Sequence, residues 1–255
     1  MRIPSHSRLA VAIGLGVLAM PVPVGAQQAA APTTRSYVQV VRLKPEMVRT
    51  WLDLQEKEVV PALKKAGVPS RVTLVTVVGN SFEYTMITPF PTFAAMDGEA
   101  PLVRALGETG AAQLNDKLRL CIMSQNTYLT NRRDDLSIAA PLGEAPIWRV
   151  VVRRALPGKM QEYLSFYRAE ILPAMQRAKA EGKIVASTVA TRGAGAPARE
   201  FTTVTMYAKF ADLDAGNPIS LTLGAEAAAR IGEKADQLTT TGQTYIRRRV
   251  ANLSY

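Results

Sequence analysis

A shift of 112 residues lays EKEVVPALKKAG (Glu56 to Gly67) over RAEILPAMQRAK (Arg168 to Lys179), and the chain matches itself around both stretches. Pro45 meets Pro157, Trp51 meets Tyr163, Glu58 meets Glu170 and Pro61 meets Pro173. With small insertions the match continues: YTMITPF (Tyr84 to Phe90) aligns with VTMYAKF (Val204 to Phe210), and NTYLTNRRDDLS (Asn126 to Ser137) with QTYIRRRVANLS (Gln243 to Ser254). Self-similarity in fixed order over about a hundred residues indicates a duplicated domain, because solenoid periods run from about 20 to 50 residues.

Within each copy the periodicities come in one order. Tyr37 to Leu43 alternates as a strand does, and Pro45 to Ala66 carries a helical apolar stripe. Strands over Arg71 to Val78 and Phe82 to Thr88 flank the Gly79-Asn80 turn, a strong hairpin signal. A helical region from Thr92 to Ile122 and a last strand near Asn126 to Arg132 complete β-α-β-β-α-β. That order predicts an α+β fold of two tandem ferredoxin-like units, each a four-stranded antiparallel sheet with both helices on one face. The expected boundaries are 36–137 and 147–255 for the two repeats, joined by a Pro- and Gly-containing linker at 138–146. Pro61 and Pro173 lack the N–H that a helix interior requires, so the first helix of each copy is expected to kink or restart there.

The opening residues read as a secretory leader. Arg2 and Arg8 precede an uncharged run from Leu9 to Met20, and Val24-Gly25-Ala26 offers a small-x-small cleavage site. A run of about a dozen apolar residues is shorter than the ~20 that span a bilayer. The expected mature chain begins at Gln27, has a disordered stretch over 27–35, is exported to the periplasm or medium and carries no stable membrane anchor. Losing Arg2 and Arg8 leaves 29 basic and 21 acidic residues, a formal charge of +8. No aromatic-plus-basic strand motif accompanies that charge, so nucleic acid is not an expected partner.

Cys121 is the only cysteine, so no internal disulfide forms and stability rests on the core. The sole histidine, His6, leaves with the leader. The mature protein therefore has no Ser-His-Asp triad, imidazole base or His-ligated metal or haem. Gly193 to Pro197 lacks a phosphate-loop lysine and reads as a mobile loop, while alternation on the last strand sends Arg248 to one face and Arg247 and Arg249 to the other.

With an aromatic in the first helix (Trp51, Tyr163) followed by E-[VI]-[VL]-P-A (Glu58 to Ala62, Glu170 to Ala174), the two copies resemble the dimeric α/β-barrel superfamily. The segments TPFPTFAAMD and YAKFADLDAG resemble its NIPSNAP-like members. The resemblance implies that two sheets pack as one barrel with helices outside, here as a covalent pseudo-dimer, with ligand pockets between sheet and helices. It also implies a choice of function. One reading is an exported binding protein for a small, mostly apolar or anionic ligand, with no cofactor. The alternative is a cofactor-independent monooxygenase or isomerase acting on an aromatic or enolisable compound. Glu58, Tyr84 and Asn126 are the candidate catalytic set, Glu58 as a base partly desolvated beside the proline; surface ion pairing is its structural alternative. Trp51, Met86, Tyr163, Tyr167, Glu170 and Met206 are the candidate ligand-lining residues, although the aromatics at helical spacing equally suit a core.

Overall fold

The computed structural model describes residues 33–139 and 145–255. The leader with its cleavage site, residues 27–32 and the middle of the expected linker lie outside them. Strand β1 (Thr33–Leu43) begins inside the stretch expected to be disordered. The first half continues through α1 (Val48–Leu54), a π-helical segment (Gln55–Val59), α2 (Val60–Lys65), β2 (Val72–Val78), β3 (Glu83–Pro89), α3 (Pro101–Cys121) and β4 (Ile122–Arg133). The second runs through β5 (Ile147–Ala155), α4 (Met160–Phe166), a π-helical segment (Tyr167–Ile171), α5 (Leu172–Ala180), β6 (Ala186–Arg192), β7 (Glu200–Tyr207), α6 (Ala211–Asp214), α7 (Pro218–Leu223), α8 (Ala225–Leu238) and β8 (Thr239–Arg249).

All eight strands join one closed antiparallel barrel in the order β1-β3-β2-β8-β5-β7-β6-β4. Closure pairs β2 with β8 and β4 with β6, so among the described residues no strand presents a free edge. Alternation then divides the side chains. Inward residues such as Val72, Leu74, Trp148, Val150, Val152 and Val204 fill the barrel's middle. Outward residues pack under the helices, in one cluster around Val41, Leu43, Trp51, Tyr84 and Met86 and another around Tyr163, Tyr167, Val189, Phe201 and Tyr207.

The ladders fix which residues correspond. Val40 lies opposite Thr85 and Asn126, and Val152 lies opposite Thr202 and Gln243. Asn126 therefore matches Gln243, as the sequence alignment has it, but Tyr84 matches Phe201 and not Val204. The Thr-Met identity drew YTMITPF onto VTMYAKF three positions out of register. An odd slip in a strand exchanges its two faces, and Met86 packs beneath the helices while Met206 points into the barrel. The aromatic stacks agree with the ladder: Trp51 lies 4.8 Å from Tyr84 and Tyr163 lies 4.7 Å from Phe201, ring centre to ring centre.

Each proline stands at the start of a new α-helical segment that follows a π-helical one. Val60 donates its N–H to Gln55 and Leu172 donates to Tyr167, bonds one residue longer than α-helical, with helical backbone angles on both sides. The wider turn directly before each proline accommodates a residue that cannot donate and whose ring crowds the preceding turn. Other irregularities recur in pairs. Gly107 inside α3 and Gly224 between α7 and α8 adopt the same left-handed φ with extended ψ, a conformation that side chains resist. Ser137 and Ser254 each donate to the carbonyl four residues earlier (2.7 Å) and accept from a strand N–H, that of Val189 at 3.1 Å and of Thr73 at 3.0 Å.

The Gly193 to Pro197 segment differs from its expected mobility. The Gly193 N–H donates to Leu129 at 2.8 Å, and the Leu129 N–H donates to Ala194 at 2.9 Å, so the loop extends the β4–β6 seam.

Candidate functional site

Where the chains of β1, β3 and β4 run out at one end of the barrel, inward positions change from apolar to polar. In β1 the sequence passes from Val38 and Val40 to Arg42, which lies opposite Glu83 on β3 and Ser124 on β4. A cavity of about 350 Å³ opens there. Its walls are Val40, Arg42, Asn80, Glu83, Ser124, Gln125, Asn126 and Tyr128 from the first half, and Arg192, Gln243, Tyr245 and Arg247 from the second.

Glu83 is the one carboxylate in that wall. Its Oε1 accepts from the Thr76 hydroxyl at 3.1 Å and from Arg247 Nη2 at 2.9 Å, and its Oε2 accepts from the Asn80 amide at 2.8 Å. Both side chains of the Glu83–Arg247 pair are only 8% exposed. Such a pair is held by mutual charge and costs several kcal/mol if one member is removed. Arg247 also lies 4.7 Å over the ring of Tyr245, and Arg192 lies 4.6 Å over Tyr128, the residue that corresponds to Tyr245. Arg192 is tied to Glu200 at 3.1 Å and to the Thr202 hydroxyl at 3.1 Å. Arg42 is exposed and makes no ion pair among the described residues. Burial, then the Glu83 charge, pushes the Tyr245 phenol above its ordinary value, against Arg247 and Arg192, so it stays a donor near neutrality; its hydroxyl donates to Gln243. The Gly79 turn closes over that ring: a Cβ there would stand 2.6 Å from Tyr245 Cδ1.

The expected site residues scatter. Asn126 lines the cavity. Glu58 instead sits at the surface, 3.0 Å from Lys117, and Glu170 lies 2.7 Å from Arg230; each ties the first helix of its half to the second. Trp51, Tyr84 and Met86 come together, as do Tyr163 and Tyr167, but they occupy the space between sheet and helices as core. Met206 borders the apolar filling of the barrel. The catalytic set Glu58, Tyr84 and Asn126 is thus not assembled: a surface ion pair, a stacked core ring and the cavity wall hold one member each. Arg42, Glu83, Arg192, Tyr245 and Arg247 were not singled out as a site from the sequence. The alternation that sends Arg247 inward was its available signal.

Among the described residues no cluster of His, Cys, Asp and Glu is arranged to hold a metal, and no helix is long and apolar enough to cross a membrane. No protein-family model matches the chain, and no curated protein matches it in sequence. Solved structures do resemble it. One is an "anthrone oxidase-like protein", 11% identical with a TM-score of 0.59, covering 86% of this chain and 92% of its own. Another is a "putative monooxygenase" from Lactobacillus acidophilus NCFM, 10% identical with a TM-score of 0.57, covering 86% of this chain and 94% of its own. The likeness is one of fold: an α+β chain closed into the eight-stranded barrel of the dimeric α/β-barrel type.

Proposed function

We propose that this chain is an exported binding protein whose mouth cavity holds a small molecule through an anionic group. The observation that carries the reading is the charge of the wall: Arg42, Arg192 and Arg247 face the cavity, against Glu83 alone. Glu83 already answers Arg247 and Glu200 answers Arg192, which leaves Arg42 as the wall cation without an ion-pair partner among the described residues, in the same wall as the amides of Asn126 and Gln243. A volume of about 350 Å³ is at the lower end of pockets for small molecules. The polar wall favours the anionic over the mostly apolar ligand class. Benzoate is the probe and benzamide its uncharged counterpart. Benzoate is expected to raise the melting temperature while benzamide does not, and Arg42→Met is expected to abolish the gain. Equal responses to the two probes, or an undiminished benzoate response in Arg42→Met, would falsify this assignment.

The finer architecture belongs to the same proposal. The two halves read as tandem ferredoxin-like copies forming a covalent pseudo-dimer, supported by the matched π-helical segments, the Gly107 and Gly224 breaks and the repeated serine bonds. The NIPSNAP-like reading rests on TPFPTFAAMD and YAKFADLDAG. Export rests on the leader sequence; amino-terminal sequencing of secreted protein should begin at Gln27, and a chain retaining Met1 in that fraction would refute it.

A second reading, a cofactor-independent monooxygenase or isomerase, is favoured by one feature. The Tyr245 phenol, held protonated beside Arg247, is a donor suited to an oxyanion forming on an enolisable ligand. Loss of turnover with retained benzoate binding in Tyr245→Phe would select it.

A further inference from the structure

Large apolar side chains stand exposed at the end of the barrel where the mouth cavity opens: Val77 at 48%, Val78 at 60%, Phe82 at 44%, Leu120 at 64% and Met123 at 57%. Backbone bonds gather the segments that carry them. The Leu43 N–H donates to the Phe82 carbonyl at 3.0 Å and the Lys44 N–H to the Cys121 carbonyl at 2.9 Å, so the end of β1 ties the β2–β3 turn to the junction of α3 and β4. Two of the five sit at irregularities in the ladders. The β1–β4 pairing passes from Arg42 opposite Ser124 to Leu43 opposite Ile122, which leaves Met123 unpaired there, and the β2–β8 pairing passes over Val77 in the same way.

The matching end of the second half is polar. The Ala155 N–H donates to the Arg199 carbonyl at 3.0 Å and the Leu156 N–H to the Leu238 carbonyl at 3.0 Å, and Arg199 shares with Phe82 a left-handed φ, 65° against 57°. Gly193, Ala194, Arg199, Gln237 and Thr240 therefore stand where the first half has Val77, Val78, Phe82, Leu120 and Met123. Since the same bonds form around small and polar residues, the backbone does not require the apolar ones. Apolar side chains gathered in water without a structural need mark a contact surface.

The charge beside them says what the surface meets. Arg42 to Lys44, Val77 to Phe82 and Lys117 to Ser124 contain four cations and no acid. Lys117 is held by Glu58 at 3.0 Å, and Arg119 has only Asp116 at 3.9 Å. Lys44 makes no ion pair among the described residues. The apolar side chains project from a turn, a helix end and a strand start, which present separate points and not a groove. Separate apolar points with cations beside them complement a fluid, negatively charged surface.

We infer that this end of the first half docks on the surface of an anionic phospholipid bilayer, with Val78, Phe82, Leu120 and Met123 entering the boundary between headgroups and acyl chains and Lys44 and Arg119 lying among the phosphates. The contact is with one face of the membrane and spans nothing. It turns the cavity mouth toward the bilayer, and it does not rest on the ligand proposed for that cavity.

Vesicles of equimolar phosphatidylcholine and phosphatidylglycerol should sediment the protein, vesicles of phosphatidylcholine alone should do so weakly, and added salt should release it. The variant Phe82→Asn/Leu120→Gln/Met123→Thr changes exposed residues only, with an asparagine suited to the left-handed backbone and with the residues the second half already carries at the other two places. It should keep the parent's melting temperature and lose about tenfold in partitioning to the mixed vesicles. Phe82→Trp supplies a readout that needs no loss of function: its fluorescence should move to shorter wavelength when mixed vesicles are added. Undiminished partitioning of the triple variant would mean that charge alone holds the protein to lipid, and it overturns the inference. So does a parent chain that stays in the supernatant with mixed vesicles, or one that self-associates without lipid in sedimentation velocity through a contact the triple variant abolishes.

Discussion

Glu83 and Glu200 occupy matching rungs of the barrel, opposite Arg42 and Arg154 respectively, yet they serve different ends. Glu83 reaches across to Arg247 on β8 and binds the first half to the second. Glu200 bonds Arg154 and Arg192, both within its own half. A substitution on the neighbouring strands explains the divergence: Arg192 corresponds to Thr76, and Arg247 to Thr130. With its arginine one strand further along the barrel, Glu83 makes a bond between the halves where Glu200 makes an internal tie, and Glu83 is the single carboxylate in the cavity wall. Two matching stretches of the barrel can thus be alike in ladder and differ in chemistry, since the ladder does not depend on which polar side chains stand on its rungs.

The largest expected effect probes the symmetric part. Trp51→Ala and Tyr163→Ala each remove a ring that is 1% or 2% exposed and stacked on its partner, and each should cost about 4 kcal/mol in chemical denaturation. A difference of more than about 2 kcal/mol between them would break the equivalence of the two cores. Next comes the asymmetric part. Glu83→Ala leaves Arg247 buried without its counter-charge and should cost about 3 kcal/mol, whereas Glu200→Ala frees the half-exposed Arg154 and the mostly buried Arg192 on the open cavity wall and should cost less, about 2 kcal/mol. Equal losses would show that the cross-barrel pair is not special. Pro61→Ala and Pro173→Ala restore a donor behind a π-turn already in place, so each should shift stability by no more than about 1 kcal/mol and leave benzoate affinity unchanged.

The smallest effect is in pH. The Asp135 carboxyl is held below its ordinary value, first by the Arg133 hydrogen bond at 2.8 Å and also by Arg168. A depressed carboxylate contributes stability above about pH 4, and that contribution is lost as pH falls through its native value. Asn252, near the end of the second half, aligns with Asp135 and does not titrate. Hydrogen exchange should therefore show looser protection around Arg168 at pH 3 than at pH 5, and Asp135→Asn should erase that difference.

Much of the architecture was legible because it depends on spacing. The alternation of Tyr37 to Leu43 and the stripe through Trp51, Val59 and Ala62 require only that apolar residues recur at the right period, and the fold meets those demands. The register of β7 was misread because two identical residues outweighed facing. Correct pairing of Tyr84 with Phe201 depends on which residues meet a helix, and a linear alignment does not carry that. The site was legible only at Asn126. Its other members are polar residues contributed by strands far apart in sequence, such as Glu83 and Arg247, and no local pattern ties them. Expectation placed the pocket beneath the helices, where Trp51 and Tyr84 leave it filled. The proline signal was sound in position, and the π-turn before each proline is the form the irregularity takes.

Closure of the ring also sets the order in which the protein can be completed. Leu74 of β2 pairs with Arg249, some 175 residues later, and β4 finds β6 only across three rungs. A sheet made of the first four strands alone would leave both outer strands, β2 and β4, unsatisfied until a distant segment arrives. Such an intermediate exposes backbone donors and acceptors that any other half-made copy can match, so crowded synthesis favours strand exchange between chains. Carrying the closing strands β6 and β8 on the same chain keeps them close at hand for β4 and β2.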